Sequence, residues 1–420
     1  MRIALIAPMP PSDGASGPSA TSFHLGLGLA RLGHEVEVIA WLGEKSEPAS
    51  WAPELQTRQL ANPRILRLAE NATALTLEWG RYAIRRDELL GFSILARDLR
   101  GAASMCWARA RGRLDDFDVI EAPEWGGACA ALAGAPPSQV RLARLHASLY
   151  SHALRYGRHA RFARAEVIGA TAVEKAGLLH ADCVLAPSSA ILEDAQRAFG
   201  PLRHVELLPN CVDLEYIDGC LAGLPARRPD PSRLLVTFVG RIDGPKGAHI
   251  LDAIVRLLRT PHPAINDVQW DLCLVGDPGS LSRYPSLMTL VGGAIRVFPC
   301  GHLDTVETLR LLGQSDVLLF PSQAENCPMA VLEAMACGAV VVASAVGGIV
   351  EMVEDQHTGL LCPPDDPQAF VDALIRLADQ RRRNDFADAA RARCEHAYSS
   401  TTVGERWVTL VENIREGRPK

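Results

Sequence analysis

The chain of 420 residues is poor in aromatic side chains, with Phe, Trp and Tyr together at 5%. A carbohydrate-binding module built on stacked rings is therefore not favoured. It also lacks an excess of positive charge. Its 43 Lys and Arg stand against 49 Asp and Glu, a formal net charge of -6, so the strongly basic field of a nucleic-acid binder is missing. No run reaches ~18 apolar residues without a charge or a turn breaker, so no membrane span is expected. The eleven cysteines, scattered from Cys106 to Cys394, show no CxxC spacing and no Cys/His cluster at zinc spacing. Free, mostly buried thiols in a reducing compartment are the natural reading. The opening MRIALIAPMP is too short for a signal-peptide core and is broken at Pro8 and Pro10, so it reads as a strand. A cytoplasmic protein is expected, with peripheral contact at the inner face of the membrane left open. Hydrophobic residues at 48% and charged residues at 22% exclude a disordered chain.

The length favours two domains over one. Short apolar runs alternate with helical patterns throughout. Strands are expected at Arg2–Ala7, Val36–Trp41, Phe117–Glu121, Val140–Leu145, Cys183–Ala186 and Val205–Leu208, with helices after Thr21, near 65–78, 87–111 and 167–180. The segment GCLAGLPARRPDPSR at 219–233 has linker composition. A second series follows, with strands at Leu234–Val239, Trp270–Val275, Ile295–Phe298, Val317–Phe320 and Ala339–Ala343. Helices are expected near 247–259, 304–313, 328–336, 367–378, 380–395 and 402–416. Strands separated by crossover helices imply parallel sheets. The fold class is therefore α/β, with two doubly wound domains. Ligands of such sheets bind beyond the carboxyl ends of the strands, and a cleft between the domains is the default site.

Two segments of the second half carry chemistry. FPSQAENCPMAVLEAMACG at 320–338 places Glu325 on a loop after a strand and Glu333 in the helix that follows. Pro328 suits a first helical turn, and Met329, Ala330 and Val331 offer backbone N–H groups at the helix start, a natural anion site. A surface loop with a solvated helix glutamate is the plainer alternative. GRIDGPKG at 240–247 follows a strand and brackets a tight turn with Arg241 and Lys246. Two cations at a strand's carboxyl end can neutralise a diphosphate and stabilise a departing phosphate. An ordinary turn with solvated charges remains the alternative, and the P-loop pattern is absent.

Together these motifs resemble the retaining, nucleotide-sugar-dependent glycosyltransferases of family 4, which have the GT-B fold: two Rossmann-like domains facing across a cleft. The resemblance rests on GR(x)4K at Arg241 and Lys246, E(x)7E at Glu325 and Glu333 followed by EAMACG, the glycine pair and glutamate of Gly347–Glu351, and PNCVD at Pro209–Asp213. The resemblance implies that Arg241 and Lys246 hold the donor diphosphate and stabilise the leaving group. Glu333 would accept from the ribose hydroxyls, and Glu325 would hold hydroxyls of the sugar beside the amides of Met329 and Ala330. Cys327-Pro328 replaces the family's phenylalanine-glycine, and Pro328 cannot donate a hydrogen bond. Cys300, His302 and Leu303 would cradle the base, and Gly240, Gly276 and Asp277 would line the same site. The donor would be a UDP-sugar or GDP-sugar, with no resident metal or other cofactor. The resemblance also places 1–218 and 400–420 in an acceptor-side domain, joined by the linker 219–233 to a donor domain at 234–399.

In the first half, His146 closes the run VRLARLH and matches a family histidine beside the transferred sugar; a buried structural histidine is the alternative. Gly17 belongs to a loop, Pro10–Thr21, that resembles the family's glycine-containing first loop, with Ser16-Gly17 in place of a glycine pair. Trp125, in Glu124-Trp125-Gly126-Gly127, suits either stacking on an acceptor sugar or a core or lid position. No acidic residue lies between Glu124 and Glu166, a stretch carrying Arg141, Arg144, Arg155, Arg158, Arg161 and Arg164. These could face an anionic acceptor, anionic lipid or simply solvent. Asp115-Asp116 and Asp365-Asp366 read as turn aspartates. The implied reaction is retaining transfer from the donor to a saccharide, lipid-linked or small-molecule acceptor, in bacterial surface polysaccharide or glycoconjugate synthesis. A nucleotide-sugar 2-epimerase of the same fold, or a non-catalytic sugar-nucleotide-binding protein, stands as the competing reading.

Overall fold

The computed structural model describes residues 1–8, 17–40, 56–59, 98–99, 101–146, 161–225, 233–260, 268–288, 291–292 and 294–417. The expected helix at 65–78, the amino-terminal part of that at 87–111, most of the Pro10–Thr21 loop, and Arg155 and Arg158 lie outside these residues. The chain forms two compact units, Met1–Asn210 with Val403–Lys420, and Cys211–Thr402.

The first unit carries a seven-stranded sheet in the order β3-β2-β1-β4-β5-β6-β7. Its strands are β1 (Arg2–Ala7), β2 (Glu35–Ala40), β3 (Gln56–Gln59), β4 (Val119–Pro123), β5 (Val140–Arg144), β6 (Cys183–Ala186) and β7 (Val205–Leu207). All pair in parallel. Five successive residues of β1 and all of β4 are buried, as befits strands covered on both faces, which read as continuous apolar runs. Ile6, Ile120, Ala143, Val184, Leu132 and Phe199 pack in one core.

The second unit also carries seven strands, in the order β10-β11-β9-β8-β12-β13-β14. These are β8 (Arg233–Val239), β9 (Gln269–Val275), β10 (Val291–Gly292), β11 (Ile295–Gly301), β12 (Val317–Phe320), β13 (Val340–Ser344) and β14 (Gly359–Cys362). Among the described strands of this sheet, only the short edge pair β10–β11 is antiparallel. Phe238, Ile254, Trp270, Leu319, Val342 and Phe370 belong to its core.

Several boundaries differ from the sequence expectation. A helix at Leu214–Leu221 occupies the first residues of the linker-like segment, because Asp213 caps it by accepting from the Tyr216 N–H. Proline and glycine composition gives no sign of that cap. The helix Ser189–Phe199, capped by Ser188, and strand β14 were not expected. PNCVD proves to be a clamp. The second carboxylate oxygen of buried Asp213 accepts from the Ser400 hydroxyl at 2.6 Å, and Val212 pairs with Ser399 as an isolated bridge.

All eleven cysteines are free. Among the described residues, no helix is long and apolar enough to cross a membrane.

Candidate functional site

In the second unit the chain runs from β8 outward through β9 to β11 and β10, then returns to the other side of β8 with β12. The strand order therefore reverses between β8 and β12. A doubly wound sheet opens its ligand crevice at such a point, beyond the carboxyl ends of the strands. The two motifs leave these two strands. Lys246 follows β8, Glu325 follows β12, and the Lys246 ammonium donates to Glu325 Oε1 at 2.6 Å. The same ammonium lies 5.6 Å from the centroid of the Phe320 ring, which ends β12. The pair is partly buried, with side-chain exposure of 27% for Lys246 and 10% for Glu325.

Asp243 organises the turn between the two cations, and the sequence reading did not single it out. Its Oδ1 accepts from the Lys246 backbone N–H at 3.1 Å, and its Oδ2 from Arg241 Nε at 2.8 Å. An acid between two cations in GRIDGPKG was the available signal. Arg241 itself is 62% exposed, so its guanidinium is held at one edge and open elsewhere. Gln323 ties the two loops together: its N–H donates to Pro245 O at 3.0 Å, and its amide to Asp365 Oδ1 at 2.9 Å.

Two glycines bring the strand ends close. Gly276 follows β9, and a Cβ there would lie 2.0 Å from Gly240 O. Gly347, at φ +51°, would place a Cβ 1.9 Å from Glu325 O, the carbonyl that accepts from the Gly348 N–H. This accounts for the glycine pair ahead of Glu351, whereas Glu351 itself is exposed on a short helix. Gly347→Ala is accordingly expected to cost about 1–3 kcal/mol through backbone strain. It should shift the Glu325 loop, read as a lower melting temperature together with weaker nucleotide binding.

Glu333 lies half-buried on the helix Met329–Ala336. Burial pushes its carboxyl up to about 7. Pro328 caps this helix rather than opening its first turn, in extended backbone at φ -68° and ψ 125°. The Val331 N–H donates to Pro328 O at 3.2 Å. Of the three amides expected to be open at this end, Val331 is thus engaged within the turn, because a proline carbonyl at the cap reaches the third residue. Asp277, Arg241 and His302 are exposed, while Gly240, Gly276, Leu303, Ala330 and Cys300 are intermediate. Cys300 belongs to the irregular end of β11, where the register shifts between Pro299 and Gly301, rather than to the loop beyond it. Thus β11, β9, β8 and β12, adjacent in the sheet, lead respectively into His302, Asp277, Arg241 and the Glu325 loop.

The first unit reverses its strand order between β1 and β4. Gly17 opens the helix Gly17–Arg31 after β1, and its carbonyl accepts from Thr21 Oγ1 at 2.9 Å. His146 stands just past β5, half-buried. Burial, and then the neighbouring Arg144 guanidinium, push its imidazole down to about 3. Trp125 is partly buried and packs against the core of this unit. Arg141 and Arg144 are not part of a basic face. Arg141 binds Asp182 at 2.5 Å, and buried Arg144 binds Glu121 at 2.5 Å. Their acidic partners lie outside the acid-free stretch, so a local charge pattern could not reveal them. The side chains of Arg161 and Arg164 lie outside the described residues. Asp366 caps the helix Pro367–Arg376, and Asp115 binds Arg109, so both aspartate pairs have structural roles. Among the described residues no group of three or more His, Cys, Asp and Glu is gathered as a cation would need.

Residues 15–216 match the family model Glycosyltransferase Family 4, and residues 233–380 match Glycosyl transferases group 1. A glycogen synthase of Mycobacterium tuberculosis is 26% identical over 414 residues, covering 96% of this chain and 92% of that protein. An α-maltose-1-phosphate synthase of Mycolicibacterium smegmatis is 30% identical over 265 residues, covering 58% and 66%. Among solved structures, a sucrose-phosphate synthase from Thermosynechococcus elongatus aligns over 99% of this chain and 100% of that one, with a TM-score of 0.69 at 23% identity. Anabaena HepE in complex with UDP and glucose aligns over 98% and 100%, with a TM-score of 0.66 at 17% identity. The chain belongs to the family 4 glycosyltransferases, nucleotide-sugar-dependent enzymes of the GT-B fold.

Proposed function

We propose that the protein transfers a glycosyl unit, with retention of anomeric configuration, from a UDP-sugar or GDP-sugar to the hydroxyl of a saccharide, lipid-linked or small-molecule acceptor. The setting is bacterial surface polysaccharide or glycoconjugate synthesis in the cytoplasm. The observation that carries this reading is the Lys246–Glu325 contact at the strand-order reversal. It joins the cation suited to a diphosphate with the carboxylate suited to sugar hydroxyls. Similarity to a glycogen synthase and an α-maltose-1-phosphate synthase supports a glucosyl donor and a saccharide or sugar-phosphate acceptor.

Arg241 and Lys246 hold the diphosphate and, with the amides near Met329 and Ala330, stabilise charge as the C1–O bond to phosphate breaks. The new C1–O bond forms on the same face. The acceptor's proton passes to the departing phosphate oxygen, so no covalent enzyme intermediate is required. His146 stays neutral at ordinary pH, because burial and then the Arg144 guanidinium push its imidazole down to about 3. It therefore orients the sugar by hydrogen bonding rather than by charge. Cys300, His302 and Leu303 border the base, with Gly240, Gly276 and Asp277 along the nucleotide and Gly17 on the acceptor side. Cations and helix amides do the charge work without a metal. Peripheral contact of the acceptor unit with an anionic membrane surface belongs to the same reading.

Glu333, binding the ribose as a carboxylate, gives a test in pH. Its burial raises the folded-state value from 4.5 to about 7. Nucleotide binding should therefore tighten as pH rises through about 7, and Glu333→Gln should flatten that dependence. Stability moves the opposite way. The folded chain holds this proton more firmly than the unfolded chain, so the contribution present at low pH is lost between 4.5 and about 7. Calorimetry with UDP and GDP, alongside melting curves, reads both. Binding independent of pH, or a Glu333→Gln variant with unchanged affinity throughout, would remove the ribose role.

A further inference from the structure

Glu124 is the first residue beyond β4, at the strand-order reversal of the first unit. Its side chain is fully buried, at 0% exposure. Both carboxylate oxygens accept from the backbone N–H of His146, at 2.8 and 2.9 Å. The Glu124 N–H in turn donates to Arg144 O at 3.0 Å. One residue thus grips the chain on both sides of Leu145, which is itself buried.

The turn carrying Glu124 is also closely packed. Gly126 and Gly127 both adopt left-handed backbone, at φ 72° and 69°. A Cβ on Gly127 would lie 2.1 Å from Asp98 O. From behind, Arg144 is locked to Glu121, and Glu121 Oε2 accepts from Trp407 Nε1 at 2.6 Å. A buried carboxylate is costly. Tying down a strand end requires only a neutral acceptor, whereas a charged acceptor makes a shorter and stronger bond. That cost makes sense where the residue being held must stand accurately.

We propose that Glu124 is a positioning residue for glycosyl transfer: its buried carboxylate clamps the His146 backbone and so fixes the imidazole beside the transferred sugar. Glu124 does not touch the reacting atoms. The inference rests on the placement of His146 given above, and the test separates the two.

The protein is labelled with nitrogen-15 histidine, which gives one backbone amide signal for each of its twelve histidines. His146→Ala assigns the signal of interest. In the parent protein that amide proton lies far downfield, as a donor to a carboxylate, and Glu124→Gln moves it upfield while the other eleven stay in place. Turnover is followed as nucleotide release from UDP-glucose, UDP-galactose, UDP-N-acetylglucosamine and GDP-mannose. Glu124→Gln is expected to lower kcat by about 10²-fold, the loss that a misplacement of about 1 Å can cause, with KM for the donor nearly unchanged. Glu124→Asp recovers part of the rate. In the His146→Ala background, Glu124→Gln causes no further loss, because the two act as a unit. Losses that multiply, or an amide signal that does not move, would overturn the clamp. Full turnover in His146→Ala with the amide shift intact would instead overturn the role of His146, and the proposal with it.

Discussion

Lys246→Ala is expected to lower donor turnover by about 10²–10³-fold, the usual effect of removing one preorganised group that stabilises developing charge. The loss has two sources. The ammonium no longer meets the departing diphosphate. Glu325, 10% exposed, also loses its cation partner, so its negative charge is presented to the incoming phosphate unopposed. Arg241, held to Asp243 through Nε, already contributes its own share of the diphosphate contact in this reading. Nucleotide binding should therefore weaken along with the rate. Glu325→Ala makes the contrast. It frees Lys246 for the phosphate, so UDP or GDP should bind at least as tightly while turnover still collapses, because the sugar is no longer held. Calorimetry beside a turnover assay separates the two patterns. Equal losses of binding in both variants would mean that the pair does not divide phosphate from sugar.

Arg144→Met is expected to destabilise the first unit by about 3–5 kcal/mol, the cost of leaving one member of a buried ion pair alone. Arg144 and Glu121 have side-chain exposures of 2% and 6%. Besides the bond from Arg144 Nε at 2.5 Å, the Glu121 carboxylate accepts from Trp407 Nε1, and Arg144 also donates to Leu208 O at 3.2 Å. The contact therefore joins β4, β5, the end of β7 and the carboxyl-terminal helix Ser400–Glu416. For a unit of this size, the loss corresponds to a fall in melting temperature of roughly 10 °C. Combining Arg144→Met with Glu121→Gln removes both charges and keeps an acceptor for Trp407. Most of the loss should then be recovered, since a buried pair is worth little against a neutral replacement. A single variant that melts like the parent protein would show that the pair contributes nothing.

Much of the fold was legible because buried parallel strands are written as short apolar runs. RIALIA, VRLAR and RLLVTFV are strands within a residue or two of where periodicity put them. What escaped was structure set by distant contacts or by single caps. Strand β14 is only four residues long and mostly buried. The helix Leu214–Leu221 depends on Asp213, in a segment whose prolines and glycines suggest a linker.

The site divides in the same way. The cations and carboxylates of GRIDGPKG and of the Glu325–Glu333 segment stood out by type and spacing. That Lys246 and Glu325 would meet, 79 residues apart, follows only from strands β8 and β12 being neighbours. Asp243 was signalled only as an acid between two cations, and the contacts of Gln323 with Pro245 and Asp365 lie too far along the chain for composition to mark. Arg144 misled as part of a basic stretch because its partner Glu121 lies 23 residues earlier. Glu124 stood in plain view beside Trp125, yet its importance lies in a backbone amide that no pattern of side chains can signal.

The central claim is that donor chemistry takes place where Lys246 meets Glu325, with Glu333 holding the nucleoside. The most direct measurement mixes the purified protein with each common UDP-, GDP-, ADP-, CMP- and dTDP-sugar and follows nucleotide release and sugar products by mass spectrometry. Lys246→Ala and Glu333→Ala serve as controls. The account predicts release from a UDP- or GDP-sugar, lost in both variants, with free sugar or glycoside as the product. Release that persists in both variants, an epimerised sugar without glycoside or hydrolysis, or the absence of both release and binding across the panel would contradict it.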